Sequence, residues 1–373
     1  MNIGYTDGAS FCNEMIGNNI GYTDGLPFVS QANNIYEPFK SYTKKVSNFS
    51  PAEKICGVSY GYFANRGEIR SPLGRQSQKL MYELNNNWVC LPITAYQKNF
   101  YSTQIYSDFV RTVSDRDIED FVKNAHSKGV KVCLKPMVHS EDNVWRAHIG
   151  FPDLNMSDLD VYWKEWFISY KHFILHYAEL AQELGVEMFC IGCEMMGTEH
   201  RKWDWRYVIK EVRRVYSGKI VYSSNHDGEI PVWTDDLDYI GLSAYYPVGT
   251  GNYNLMKENW DKIREKLDKI SKEKGRQYIF MEVGCRSVKE AGNHPWDFTL
   301  DLPWSEQEQK NYYEALFDIF ESDDCFAGLM IWDWPTFQYQ DRAIAAQDKD
   351  FNVHLKAAEN IIKDYYTKVK NNG

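Results

Sequence analysis

From Lys54 to Trp334 the chain alternates short apolar runs with longer stretches in which apolar residues recur every three or four positions. That alternation is the signature of strands separated by amphipathic helices. Eight apolar runs stand out: Lys54 to Phe63, Trp88 to Tyr96, Lys131 to His139, Val186 to Met195, Lys219 to Asn225, Leu237 to Tyr246, Gln277 to Gly284 and Phe326 to Trp334. Between the second and third, Asp115 to Ser127 reads as a helix with Ile118, Phe121, Val122 and Ala125 on one face. Asp117, Glu119, Asp120 and Lys123 fall outside that face, and Gly129 supplies the stop. Comparable helices are predicted at Tyr162 to Leu184, Trp205 to Tyr216, Leu255 to Lys272, Glu306 to Phe320 and Val353 to Val369, with one more near Tyr36 to Val46. Eight strands each followed by helix predict an α/β fold, a single-domain (β/α)8 TIM barrel over residues 51–373, behind a short N-terminal extension, residues 1–50. A doubly wound sheet is the competitor, but it carries its ligand at a glycine-rich first turn, and Tyr60, Gly61, Tyr62 and Phe63 form no such turn. The extension holds the heptapeptide NIGYTDG twice, at Asn2 to Gly8 and Asn19 to Gly25, and one repetition does not make a solenoid.

In such a barrel the C-terminal ends of the strands share one mouth. Two of those ends carry glutamates, Glu194 after VEMFCIGC and Glu282 after YIFM. A carboxylate at the end of an apolar strand faces desolvation, and two in matching positions read as a working pair. The other strand ends supply aromatic and hydrogen-bonding groups, among them Tyr62, His139, Asn225, His226, Tyr245 and Trp332. No nucleophilic Ser or Lys is evident at the rim. Two carboxylates within an aromatic ring suit glycoside hydrolysis, one as acid and base, the other attacking the anomeric carbon or activating water. A separation of about 5 Å gives retention and roughly 6.5 to 9.5 Å gives inversion, so at this level both outcomes and both role assignments stay open. A sugar-binding protein without catalysis is the reading from another class, and the presence of both glutamates argues against it. His139, His226, Asp227 and Glu282 lack metal-site spacing, so no metal and no cofactor are expected, and the isolated histidines are assigned to substrate hydroxyls. Cys190 and Cys193 form a CxxC inside a strand, where alternation is expected to send their side chains to opposite faces, which makes the redox signal poor.

Composition narrows the partners. The net charge of -10 repels nucleic acid and anionic membranes, leaving neutral ligands. No apolar run is long enough to span a bilayer. Aromatic residues make up 15% of the chain, with 12 Trp and 26 Tyr, which suits stacking on sugar rings. The eight cysteines sit mostly in apolar runs and are expected to be buried free thiols in a reducing compartment. Without a basic start and apolar core in the first thirty residues, a cytoplasmic location is expected. The segments Ser140 to Asp158 and Arg286 to Pro303, with Trp145, Trp296 and nearby Trp304, are expected to shape the cleft. Oligomeric state leaves no trace in the pattern.

Five segments occur in order along the barrel: IGCEMMGTE around Glu194, VRRVYSGKIVYSSNHD, LDYIGLSAYYP, FMEVGCRS around Glu282, and GLMIWDWP. Together, from Ile55 to Trp334, they resemble glycoside hydrolase family 113, the barrel β-1,4-mannanases of the retaining clan with catalytic glutamates after strands four and seven. The resemblance implies double-displacement cleavage of β-1,4-mannosidic bonds in mannan or manno-oligosaccharides, with another β-linked glycan such as glucan or xylan as the alternative. It implies Glu194 as general acid/base, Glu282 as nucleophile, Tyr245 bonding that nucleophile and Trp332 as the platform under the sugar. Asn225, His139 and Trp145 become candidate sugar contacts. The wider clan has Asn just before its acid/base, where it binds the sugar 2-hydroxyl, whereas this chain has Cys193, a weak donor. For this chemistry Glu194 must meet substrate protonated, and Glu282 must be ionised by donors such as Tyr245 or Arg286.

Overall fold

The computed structural model describes residues 54–151 and 159–372. The expected helix near Tyr36 to Val46, the NIGYTDG repeat, the boundary at residue 50 and Cys12 lie outside the described residues. Eight parallel strands follow one another in chain order round a closed barrel: β1 (Ile55–Tyr60), β2 (Trp88–Gln97), β3 (Lys131–Ser140), β4 (Met188–Cys193), β5 (Lys219–Asn225), β6 (Ile240–Ser243), β7 (Tyr278–Val283) and β8 (Phe326–Trp334). Each lies within, or ends a residue beyond, one of the eight apolar runs. β2 and β3 pair along their whole length, from Trp88 opposite Lys131 to Gln97 opposite Ser140, and form the longest wall of the barrel. β1 and β8 close it.

Strands covered on both sides divide their apolar residues between two cores. Cys90, Cys133, Met188, Val221, Met281 and Met330 fill the barrel interior. A larger core, including Val89, Phe121, Phe189, Trp205 and Phe280, packs between barrel and helices. The helices are α1 (Pro72–Tyr82), α2 (Asp115–His126), α3 (Leu159–Glu183), α4 (Lys202–Val215), α5 (Tyr253–Lys274), α6 (Glu306–Phe320), the short α7 (Arg342–Ala345) and α8 (Ala357–Asn372).

Three expectations are corrected. β5 and β6 are joined by a short 3-10 turn, Val232–Asp236, rather than a helix, since the connection is brief and contains Pro231. The last helix begins at Ala357 because Leu355 takes a left-handed φ of 55° just before it. On α2 the apolar face is as expected, but Asp117 is buried. It completes a capping box with Ser114 and also bonds Arg70 at 2.6 Å and the Gly67 N–H at 3.0 Å, so its burial is satisfied.

Barrel closure depends on a glycine. Gly328 pairs with Ile55 at a φ of 138°, and a Cβ there would lie 2.1 Å from the Ile55 carbonyl oxygen. Gly328→Ala is therefore expected to cost about 3 kcal/mol, read as a lower urea midpoint. An unchanged midpoint would show that closure does not need this approach.

Candidate active site

The chemistry of the mouth begins with a bulge in β4. Cys190 points into the barrel interior and Ile191 into the outer core. Gly192 also faces outward, since a Cβ on it would meet the hydroxyl of Tyr170 and the ring of Tyr222. Cys193 then points inward again, its Sγ 3.4 Å from Glu282 Oε1. Two successive outward residues constitute the register shift between Cys190 and Cys193 against β5. The expectation that the two thiols face opposite sides is thus overturned, because the extra residue restores Cys193 to the interior. Both thiols are free and buried, and burial pushes Cys190 up to about 12 and Cys193 well above the ordinary thiol value.

Beyond the bulge, Glu194 takes a left-handed φ of 53° and its N–H donates to the Ser223 carbonyl at 2.9 Å. Only 7% exposed, its carboxylate accepts from Asn225 Nδ2 at 3.3 Å, Arg146 Nη1 at 3.2 Å and Trp145 Nε1 at 3.4 Å. Burial, followed by the negative charge of Glu282, raises its pKa despite Arg146 and Lys135. Glu282, 4% exposed at the end of β7, is set the opposite way. The Lys135 ammonium contacts its Oε1, and the Tyr245 hydroxyl donates to Oε2 at 2.8 Å. Burial disfavours its charge, but Lys135, Arg146 and Tyr245 outweigh that and hold the carboxyl below the usual range. One cleft therefore holds a carboxyl biased toward protonation beside a carboxylate biased toward ionisation.

Both open into a cavity of about 990 Å³ at the C-terminal mouth. Trp332 forms its floor, 8% exposed, with the Tyr62 ring at 4.6 Å and the Lys135 Nζ 5.6 Å from its own ring centroid. Phe63, Trp145, Trp296, Phe298 and Phe337 line the cavity while remaining exposed, and this gives it an aromatic rim. Beside Trp332, Asp333 is pushed up to about 7 by burial and then by Asp350 and Asp348. His226 is 8% exposed, and neither ring nitrogen has a hydrogen-bond partner. Asp227 Oδ1 lies 3.2 Å from its Nε2 without hydrogen-bond alignment, and burial lowers the pKa of the ring despite that neighbour. The His226 ring lies 5.2 Å from the Trp296 ring with both nitrogens covered, so it borders the cavity without offering it an exposed donor or acceptor.

Of the residues singled out from sequence, the cavity gathers Glu194, Glu282, Trp332, Tyr245, Asn225, His139, Trp145 and His226. Cys193 is not on its wall but beneath Glu282. Tyr96 also stands back, under the Arg111 guanidinium at 4.0 Å. Arg286 does not reach Glu282; it donates to the Leu300 carbonyl at 2.7 Å and pins its own loop. Trp304 pairs with Val288 away from the cavity. Two residues were missed. Lys135 carries a signal, being a charge embedded in the apolar run VCLKPMV of β3, where only a buried counter-charge makes it tolerable. Arg146, which bonds Glu194 and the Tyr62 hydroxyl, opens a short 3-10 turn after Trp145 and has no pattern to betray it.

The Lys135–Glu282 contact is fully enclosed, with side-chain exposures of 0% and 5%. Lys135→Met strands the glutamate and is expected to cost about 3–5 kcal/mol in chemical denaturation. Adding Glu282→Gln should recover part of that loss; simple additivity of the two changes would mean that the groups are not coupled.

The model of glycoside hydrolase family 113 matches residues 58–356. Among solved structures, a family 113 β-1,4-mannanase in complex form is 32% identical, covering 85% of this chain and 99% of its own, with a TM-score of 0.78. The family 113 β-mannanase of Alicyclobacillus acidocaldarius, solved with ManMIm, is also 32% identical, covering 86% of this chain and 100% of its own, with a TM-score of 0.79. The β-glucuronidase of Ruminococcus gnavus, at 14% identity, a TM-score of 0.56, and 84% of this chain against 50% of its own, shares the fold. No curated protein sequence matches the chain.

Proposed function

The chain belongs to glycoside hydrolase family 113, and from that premise we propose that it hydrolyses β-1,4-mannosidic bonds by double displacement, with Glu282 as nucleophile and Glu194 as acid and base. The observation that carries the reading is the opposite electrostatic setting of the two glutamates in one cleft. The substrate class follows the 32% identical neighbours, which are β-mannanases along nearly their whole length.

Each step follows from the partners of each group. Glu282 Oε1 and Oε2 are held by Lys135 and Tyr245, which fix the carboxylate and keep it charged until it attacks the anomeric carbon. As the covalent bond forms, its negative charge is lost and the leaving oxygen needs a proton, which the raised Glu194 carboxyl supplies. Loss of the Glu282 charge then removes one cause of that raised pKa, so Glu194, having given up its proton, stays ionised and is free to take one from the incoming water. Trp332 supports the sugar at the point of cleavage, and Trp145 and Asn225 hold the Glu194 carboxyl beside the glycosidic oxygen. His139, on the cavity wall, donates to or accepts from sugar hydroxyls. The reaction needs no cofactor.

Product analysis tests the reading: manno-oligosaccharides of increasing length should be cleaved with cello-oligosaccharides largely spared, and Glu282→Ala should lose at least about 10³-fold of kcat. Cleavage of the cello series instead would move the substrate to a β-glucan. The pH profile should be a bell. Activity falls as pH drops through the depressed pKa of Glu282 and again as it rises through the raised pKa of Glu194, so the plateau is wide. A profile flat through the acid range would count against the pair.

A further inference from the structure

Glu199 lies in the same strand-end segment as Glu194 but does not line the cavity. Its Oε1 accepts the Tyr222 hydroxyl at 2.7 Å, and the oxygen of that hydroxyl accepts the Met195 N–H at 2.9 Å. The Met195 amide is the peptide leaving Glu194, so two hydrogen bonds connect the Glu199 side chain to the backbone of the residue whose φ is 53°. A non-glycine residue holds that conformation only where its surroundings fix it.

The far end of the connection is itself anchored. The Thr198 hydroxyl donates to the Met195 carbonyl at 2.8 Å, and Trp205 Nε1 donates to the Thr198 carbonyl at 3.2 Å. Trp233 Nε1 donates to the Glu199 carbonyl at 3.0 Å. The two indoles stack at 4.5 Å and 8°, and Tyr222 meets both edge-on, at 5.3 and 4.9 Å. Tyr222 is thereby held by packing, and the one polar partner that orients its hydroxyl toward Met195 is the Glu199 carboxyl.

We infer that Glu199 is a positioning residue for Glu194, holding through Tyr222 the left-handed turn that aims the acid carboxyl at the departing glycosidic oxygen. This rests on the assignment of Glu194 as acid and base. Burial pushes Glu199 up to about 7 against the Tyr222 bond, with the charge of Glu194 adding to the rise. An amide, whose oxygen accepts the same hydroxyl at any pH, is therefore the conservative replacement.

The test compares Glu199→Ala and Glu199→Gln on a manno-oligosaccharide, whose leaving group needs a proton, and on dinitrophenyl β-mannoside, whose leaving group does not. Glu199→Ala should lower kcat/KM for the oligosaccharide roughly 30- to 100-fold but less than about threefold for the aryl mannoside. Glu199→Gln should stay within about threefold of wild type on both. Equal losses on the two substrates, or a Gln variant as impaired as Ala, would overturn the inference. A crystal structure of Glu199→Ala tests the role independently of turnover. Displacement of Glu194 from the left-handed region supports the role, and a turn unchanged in φ and in its Asn225 and Arg146 bonds refutes it. Wild type inactive on both mannosides would refute the mannoside reading, and the structural arm would then decide the role of Glu199 by itself.

Discussion

The site depends on one enclosed ion pair. Lys135 and Glu282 meet inside the barrel mouth with almost no access to water, where either charge alone would be expelled or neutralised. Their contact favours the ionised form of Glu282, and burial, followed by that negative charge, raises the pKa of Glu194. The opposite settings of two chemically identical side chains thus come from burial acting on Glu194 and from Lys135 acting on Glu282. The cost of enclosing the pair is offset by the Tyr245 hydroxyl and by Arg146, which brings a second cation within reach of both glutamates.

Backbone irregularity places the groups that the ion pair then tunes. Without the bulge at Ile191 and Gly192, Cys193 would face the helices rather than Glu282. The left-handed turn at Glu194 then carries the carboxylate toward Asn225, Arg146 and Trp145. The barrel below is regular, filled by small and flexible side chains such as Cys90, Cys133, Met188 and Met330, and it provides the rigid base on which these departures are held. Around the mouth, exposed aromatic side chains give the cavity the flat faces that suit a sugar ring.

The strands were legible because a barrel strand buried on both faces must be continuously apolar, and eight such runs admit few other closures. Glu194 and Glu282 were legible for the complementary reason, as charges at the ends of those runs. The β5–β6 connection was not, because a rule of one helix per strand ignores how little chain lies between Asn225 and Ile240. Strand alternation misplaced Cys193 because a bulge is a local backbone event with no composition of its own. Asp117 was assigned to the surface because periodicity sorts residues by face and takes no account of capping. Arg146 and the true partners of Arg286 are matters of loop path, which hydrophobic patterning does not encode. Lys135 was legible in principle and overlooked, since a cation within an apolar strand always implies an anion opposite.

The central claim is that Glu282 is the charged nucleophile and Glu194 its protonated partner. The most direct measurement is mass spectrometry of the enzyme after reaction with a 2-deoxy-2-fluoro-β-mannosyl fluoride, a reagent that forms the glycosyl-enzyme quickly and releases it slowly. The account predicts one added fluoromannosyl mass per chain, located by peptide mapping on Glu282. A label on Glu194, or an active enzyme that turns the reagent over without ever carrying it, would contradict the account.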